Sequence, residues 1–293
     1  MFKEENVFNQ RLTLNLPLGI ELYVKREDLL HREISGNKFR KLKYNISEAQ
    51  QLGYKQLLTF GGAYSNHIAA VAAAGRILGI ETIGVIRGDE LVNCYRENPT
   101  LLKAEQDGMR FKFVSRSVYR ERTNAEFIAS LATEFGSFYL VPEGGTNALA
   151  IKGTEEILKN DDQVFDYVCC AIGTGGTIAG LINSSFDNQV VLGFPALKGD
   201  FLSTEIKKYT VKENWQLVHD YHFGGYGKVP AELVDFLQDL HMTTGVLFDP
   251  IYNGKMVYGV LDMIQQGVFK EGSRILLIHT GGLQGWNDII KGK

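Results

Sequence analysis

Three short segments of the chain carry groups able to do chemistry. Gly173-Thr174-Gly175-Gly176-Thr177 follows the apolar run Tyr167 to Ile172 and opens a helical stretch that begins Ile178-Ala179-Gly180-Leu181. Successive glycine amides at a helix N-terminus make a cradle for an anion, and the threonine hydroxyls add donors. A dinucleotide fingerprint would need glycine where Ile178 stands, and an acid after the next strand, which instead ends Gly193-Phe194-Pro195. A nucleotide-triphosphate loop would need Lys-Ser or Lys-Thr at the right spacing, and the chain has neither there. What remains is a phosphate held without a nucleotide, set against the plainer reading of a capping turn. The second segment is Lys25 to Lys41, which contains Gly36-Asn37-Lys38. Its composition reads as a solvated charged loop. Schiff-base chemistry, however, asks for one lysine amine, deprotonated by its surroundings, beside a phosphate site. Lys38 is a candidate because a phosphate cradle exists elsewhere in the chain. The third is Phe60-Gly61-Gly62-Ala63-Tyr64-Ser65-Asn66-His67, a strand end, a glycine turn and a helix start. Ser65 and Asn66 are good N-cap types; their hydroxyl, amide and N–H groups are also what a substrate carboxylate needs.

The elements that must position these segments alternate. Strands are predicted at Lys55 to Phe60, Glu81 to Ile86, Arg110 to Val114, Phe138 to Val141, Tyr167 to Ile172, Val190 to Phe194, Val246 to Asp249 and Arg274 to Ile278. Helices are predicted at Asn66 to Leu78, Thr100 to Gln106, Ala125 to Phe135, Asn147 to Leu158, Ile178 through Ile182, Ala231 to Leu240 and Lys255 to Gln265. Short apolar strands alternating with helices imply βαβ units and a parallel sheet covered on both faces. Gly61-Gly62, Gly144-Gly145, Gly173 to Gly176 and Gly281-Gly282 all fall just after strands, where open α/β sheets bind ligands. One such turn alone is explained by glycine's freedom in tight βα connections; four together point to a site.

Composition bounds the partners. With 31 basic and 34 acidic side chains in 293 residues, the net charge is −3. That removes an electrostatic case for nucleic acid or an anionic membrane surface. No apolar run approaches the roughly 18 residues of a membrane span. The N-terminus, Met1-Phe2-Lys3-Glu4-Glu5-Asn6, is polar, so no signal peptide is expected. The three cysteines, Cys94, Cys169 and Cys170, suit a reducing, cytoplasmic setting rather than a disulfide framework or a metal site.

Taken together and in order, Glu27-Asp28, Gly36-Asn37-Lys38, Gly61-Gly62 with Ser65-Asn66-His67, Gly173 to Thr177, Asp249-Pro250-x-Tyr252-x-Gly254-Lys255 and His279-Thr280-Gly281-Gly282 resemble the D-cysteine desulfhydrase and 1-aminocyclopropane-1-carboxylate (ACC) deaminase family. These are pyridoxal-phosphate enzymes with the fold of the tryptophan synthase β subunit (fold type II). The resemblance implies an α/β, two-domain protein with doubly wound, mostly parallel sheets. Residues 1–44 and 141–293 would form a larger cofactor-binding domain, and 45–140 a smaller inserted one. It implies pyridoxal 5'-phosphate as cofactor, a small amino acid as substrate, and a homodimer. Lys38 would be the Schiff-base lysine and the proton carrier at the α-carbon. Gly173, Thr174, Gly175, Gly176 and Thr177 would hold the phosphate, with Lys41 nearby, and Asn66 would bond the ring hydroxyl. Ser65, Asn66 and His67 would face the substrate carboxylate, Ser65 among the catalytic groups. Tyr226 and Tyr252, also among the catalytic groups, would lie over the substrate.

The residues after Tyr252 and after His279 bear on the choice of substrate. ACC deaminases typically carry glutamate and leucine there, and the desulfhydrases small hydroxyl residues at both; this chain has Asn253 and Thr280, both placed with the cofactor. Without an acid the ring nitrogen has no carboxylate partner and the cofactor is a weaker electron sink. The expected reaction is therefore α,β-elimination, with D-cysteine giving pyruvate, ammonia and sulfide. ACC deamination is the alternative. A binding protein that keeps the cradle without catalysis, and a dehydratase or sulfhydrylase of the same fold, fit the motifs less well.

Overall fold

The computed structural model describes residues 7–34, 36–199 and 201–286. The polar stretch 1–6, on which the signal-peptide expectation rests, lies outside them. The strands are β1 (Asn9–Arg11), β2 (Glu21–Lys25), β3 (Gln56–Gly61), β4 (Glu81–Arg87), β5 (Met109–Val114), β6 (Tyr139–Val141), β7 (Tyr167–Ile172), β8 (Val190–Pro195), β9 (Trp215–Leu217) and β10 (Arg274–Ile278). The helices are α1 (Asn37–Gln51), α2 (Asn66–Leu78), α3 (Pro99–Gln106), α4 (Arg116–Arg120), α5 (Ala125–Phe135), α6 (Ala148–Thr154), α7 (Gly176–Ser184), α8 (Phe201–Lys207), α9 (Ala231–Thr244) and α10 (Asn253–Gln265). Two compact units result, one of Lys41–Ala150 and one in which residues 7–40 join 151–286.

The unit of Lys41–Ala150 is built on a four-stranded sheet in the order β5-β4-β3-β6, parallel throughout. Leu58, Phe60, Ile83, Val85, Val114 and Leu131 pack one core against it. Helix α2 begins at the carboxyl end of β3, with Ser65 as its N-cap: the serine Oγ accepts from the Ile68 N–H at 3.3 Å.

The other unit has a six-stranded sheet in the order β1-β2-β10-β7-β8-β9, in which only the β1–β2 pair is antiparallel. Alternation along β7 serves two cores. Cys169 and Ala171 join Leu237, Val257 and Leu277 on one face, while Val168, Cys170 and Ile172 join Ile178, Leu181 and Ile278 on the other. The adjacent cysteines therefore pack as small apolar groups on opposite sides of one strand. The register sets Ile278 opposite Lys25 and Leu277 opposite Cys169, so the carboxyl ends of β2, β10 and β7 lie side by side.

Three expectations are corrected. The charged stretch Lys25 to Lys41 is not a solvated loop: Lys25, Glu27, Asp28, Arg40 and Lys41 are buried. Their charges are matched inside the fold, with Arg40 bound through Nε and Nη2 to the two Glu27 carboxylate oxygens at 3.0 Å each, and Lys25 on Asp162 at 2.9 Å. Val246 to Asp249 forms no strand, because side chains take its carbonyls. His279 Nε2 lies 2.8 Å from the Leu247 oxygen, and the Trp286 indole N–H donates to the Phe248 oxygen at 2.8 Å. The helix expected over Asn147 to Leu158 ends at Thr154, whose hydroxyl lies where a side chain at Gly180 would stand, so α6 and α7 touch there. Among the described residues no helix is long and apolar enough to cross a membrane.

Candidate active site

The carboxyl ends of β2, β10 and β7 gather the chemistry of the larger unit. Lys38 sits in the first turn of α1, two residues past Gly36. Gly36 has φ +60°, and a Cβ there would fall 2.0 Å from the Thr280 carbonyl oxygen. Only glycine allows that approach, and the Asn37 N–H completes it by donating to the same oxygen at 3.3 Å. The Asn37 side chain then reaches the next strand end, its Nδ2 donating to Thr177 Oγ1 at 2.8 Å. One residue thus ties the turn bearing Lys38 both to the end of β10 and to the glycine loop after β7. Arg40, one half-turn further, locks the same helix turn onto Glu27 at the end of β2.

Lys38 is half-buried and, among the described residues, makes no hydrogen bond or ion pair. Desolvation pulls its ammonium down from 10.5 to about 8. A lysine in this state spends an appreciable fraction of its time as the free amine near neutral pH, which is what a nucleophile requires. The glycine loop runs from β7 into α7 with Gly175 at φ +84° as the helix N-cap. The first amides of the nine-residue helix lack intrahelical acceptors and carry the positive end of its dipole.

Tyr252 precedes α10 and packs against the loop: a Cβ on Gly173 would lie 3.3 Å from its ring. The Tyr226 and Tyr252 ring centroids are 5.9 Å apart, and Tyr226 is 43% exposed. Beneath them lies a closed polar network. Asp249 accepts from the N–H groups of Ile251 (3.1 Å), Tyr252 (2.8 Å) and Asn253 (2.9 Å) and from Asn253 Nδ2 (2.5 Å). Burial raises its carboxyl, and these donors oppose the rise. Asn253 Nδ2 also donates to the Gly281 oxygen at 2.9 Å, while its Oδ1 accepts from Thr280 N at 3.1 Å and Thr280 Oγ1 at 3.0 Å. A carbonyl can only accept and an N–H only donate, so this amide has one orientation and the Thr280 hydroxyl proton goes to Asn253. His279 stacks on Phe248 at 4.9 Å, and its Nδ1 accepts from Gly281 N at 3.2 Å.

A family model of pyridoxal-phosphate dependent enzymes matches residues 10–281. The chain belongs to that family. It is 31% identical over 285 residues to a Pyrococcus horikoshii protein provisionally named 1-aminocyclopropane-1-carboxylate deaminase, covering 92% of this chain and 86% of that one. It is 32% identical over 305 residues to the mitochondrial bifunctional D-cysteine desulfhydrase/1-aminocyclopropane-1-carboxylate deaminase of Arabidopsis thaliana, covering 94% and 75%. A crystal structure of an ACC deaminase homologue superposes with a TM-score of 0.84 at 28% identity, over 98% of this chain and 94% of that one. The α/β fold is that of the tryptophan synthase β-like enzymes.

The residues of this pyridoxal-phosphate dependent enzyme fit its cofactor. A helix-capping glycine loop suits the phosphate, and a desolvated lysine, with no counter-ion among the described residues, is bridged to that loop through Asn37. Lys38, Gly173 to Thr177, Tyr226, Tyr252, Asn253 and Thr280 all belong to the larger unit. Ser65, Asn66 and His67 belong to the other. There Ser65 and Asn66 are half-buried at the start of α2, but His67 is turned inward. It is buried, with Nε2 2.8 Å from the Thr59 hydroxyl, whose own proton goes to the Val141 oxygen at 2.8 Å. Its place is the core of that unit, in contrast to the substrate-facing role expected from sequence. Lys41 donates to the Gly144 oxygen and Thr146 Oγ1 at 3.0 Å each. Asn253, expected at the cofactor, has its amide nitrogen and its carbonyl committed to protein groups. Sequence reasoning missed Lys255, which reads as an ordinary helix lysine; the only signal was its place in the Tyr252-x-Gly254-Lys255 run.

Proposed function

We propose that this enzyme catalyses α,β-elimination from a small amino acid, with D-cysteine as substrate: D-cysteine and water give pyruvate, ammonium and hydrogen sulfide. The observation that carries the reading is the environment of Lys38, desolvated, uncommitted among the described residues and bridged through Asn37 to an anion cradle. When bound, pyridoxal phosphate supplies an electron sink for the carbanion at the α-carbon. The rest is the work of this chain's side chains. Lys38 takes the α-proton as the free amine and returns it to the departing sulfur, a role that suits a group titrating near 8. Tyr252 and Tyr226 cover the substrate and exclude water from it. The amides and threonine hydroxyls of Gly173 to Thr177 hold the phosphate. In the unit of Lys41–Ala150, the Ser65 hydroxyl, the Asn66 amide and the first N–H groups of α2 bind the substrate carboxylate. Asn66 also takes the cofactor's ring hydroxyl.

Asn253 supports elimination over ring opening. No acid stands at that position, and Asp249, one turn earlier, is committed to capping α10. ACC deamination to 2-oxobutanoate and ammonia is the second reading, favoured by the names of the relatives. A homodimer in a cytoplasmic setting completes the proposal. A keto-acid screen of the cofactor-loaded protein over D-cysteine, L-cysteine, D-serine and ACC tests it. Pyruvate and sulfide from D-cysteine are expected; 2-oxobutanoate from ACC with no product from D-cysteine would overturn the assignment.

A further inference from the structure

Lys255 is 2% exposed, yet it carries an ammonium that faces no carboxylate within ion-pairing distance among the described residues. Its Nζ donates to two backbone carbonyls, those of His222 and Gly225, at 2.9 Å each. Those carbonyls close successive turns: Gly225 N donates to the His222 oxygen at 3.0 Å, and Lys228 N to the Gly225 oxygen at 3.2 Å. The ammonium is thus the hub on which two turns converge, and Tyr226 lies inside the second.

The segment needs such a hub. Phe223, a bulky non-glycine residue, has φ +52°, and Gly224, Gly225 and Gly227 have φ +89°, +118° and +71°. A run of left-handed residues rich in glycine has much conformational freedom to lose and little side-chain packing to hold it. One stripe of α10 supplies the anchors. Tyr252 meets the Tyr226 ring, Lys255 holds the two carbonyls, and Tyr258 packs edge-on against Phe223 at 5.0 Å. Gly259 lies under Tyr221, whose hydroxyl donates to Asp262 at 2.7 Å. Spacings of three and four residues put Tyr252, Lys255, Gly259 and Asp262 on one helix face.

We propose that Lys255 is a positioning residue: by gripping the His222 and Gly225 carbonyls it presets the turn that carries Tyr226 against Tyr252 before substrate binds. The proposal rests on the reading above that Tyr226 covers the substrate, and it adds what sets that tyrosine's position.

The test uses cofactor-loaded K255M, Y226A and the double variant, with amide exchange and steady-state kinetics on each. K255M is expected to lower kcat/KM about 10- to 100-fold, the scale of a misplaced substrate contact. Amide exchange should rise across 222–227 while α10 keeps its protection. K255M/Y226A should be no slower than Y226A alone, because the clamp acts only through the tyrosine. Wild-type exchange over 222–227 in K255M, or losses that multiply in the double variant, would overturn the proposal. If Y226A alone leaves kcat/KM unchanged, the substrate-covering role of Tyr226 fails, and the exchange measurement still decides the clamp. Should K255M not fold, K255Q, whose amide nitrogen stops one atom short of the hub, carries the same expectations.

Discussion

Two lysines of the larger unit are both pushed down from 10.5 to about 8 by burial, yet their surroundings assign them opposite work. Lys255, 2% exposed, feels the charge of Asp249 and spends its protons on two carbonyls of a glycine-rich turn. Lys38 stands at the carboxyl ends of the parallel strands β2, β10 and β7, partly open to solvent, and among the described residues donates to nothing. The contrast teaches that a shifted lysine is not by itself a reactive one. A lysine whose hydrogens are taken is a structural cation; one whose turn is tied to an anion cradle, with its amine uncommitted among the described residues, is suited to act as a nucleophile. Lys25 and Lys41 complete the series, the first paired with Asp162 and the second with Gly144 and Thr146.

The largest effect that separates the two lysines is loss of the nucleophile. K38A should lower elimination activity by about 10⁴-fold or more and abolish the visible absorption band of lysine-bound cofactor, while K255M keeps the band. Pyruvate release and an absorbance scan check both. Next comes the support of the turn that bears Lys38. R40M leaves Glu27 as a buried, unpaired carboxylate and should cost about 3–5 kcal/mol of unfolding free energy, read from urea denaturation. Y252F should come third, lowering kcat by about 100-fold through the lost hydroxyl and altered cover of the substrate, with cofactor affinity little changed.

The glycine loop and many elements of both units were legible in sequence because they are written in local signals. Gly173 to Thr177 announces itself as glycines between an apolar strand and a helix, and β7, β10, α2 and α5 follow from short apolar runs or amphipathic stretches with clear caps. Lys25 to Lys41 was not legible as interior. Its charges look solvated until the partners are known, and Glu27 and Arg40, or Lys25 and Asp162, are partners only through the sheet order that brings β2, β10 and β7 together. His67 misled for a related reason. Its neighbours Ser65 and Asn66 are half-buried at the start of α2, and one further residue turns the ring onto Thr59 in the core. Val246 to Asp249 has the apolar pattern of a strand, and only the competing donors His279 and Trp286 remove it from the sheet.

The smallest expected effect sharpens the lysine comparison in the apoprotein. A lysine with a folded pKa near 8 and an unfolded one near 10.5 binds more protons when unfolded within that window. Unfolding free energy should therefore rise with pH from about 8 upward, by on the order of 1 kcal/mol per lysine once solvent screening is allowed for. Cys169, which burial holds well above its ordinary 9.0, opposes the rise first, and Tyr95, Tyr119, Tyr139 and Tyr221, all raised, oppose it above about 10. In the folded protein Tyr221 keeps its proton up to about 12, through desolvation and its bond to Asp262, so the folded state there binds the extra proton and the sign reverses. K255M and K38A should each flatten the rise, as denaturation series across pH would show.

The central claim is that Lys38, rather than the equally shifted Lys255, carries the cofactor. Borohydride reduction of the loaded protein followed by peptide mass mapping tests it most directly. A pyridoxyl group is expected on the peptide containing Lys38 and none on the peptide containing Lys255. The label on Lys255 or Lys41, with Lys38 unmodified, would contradict it.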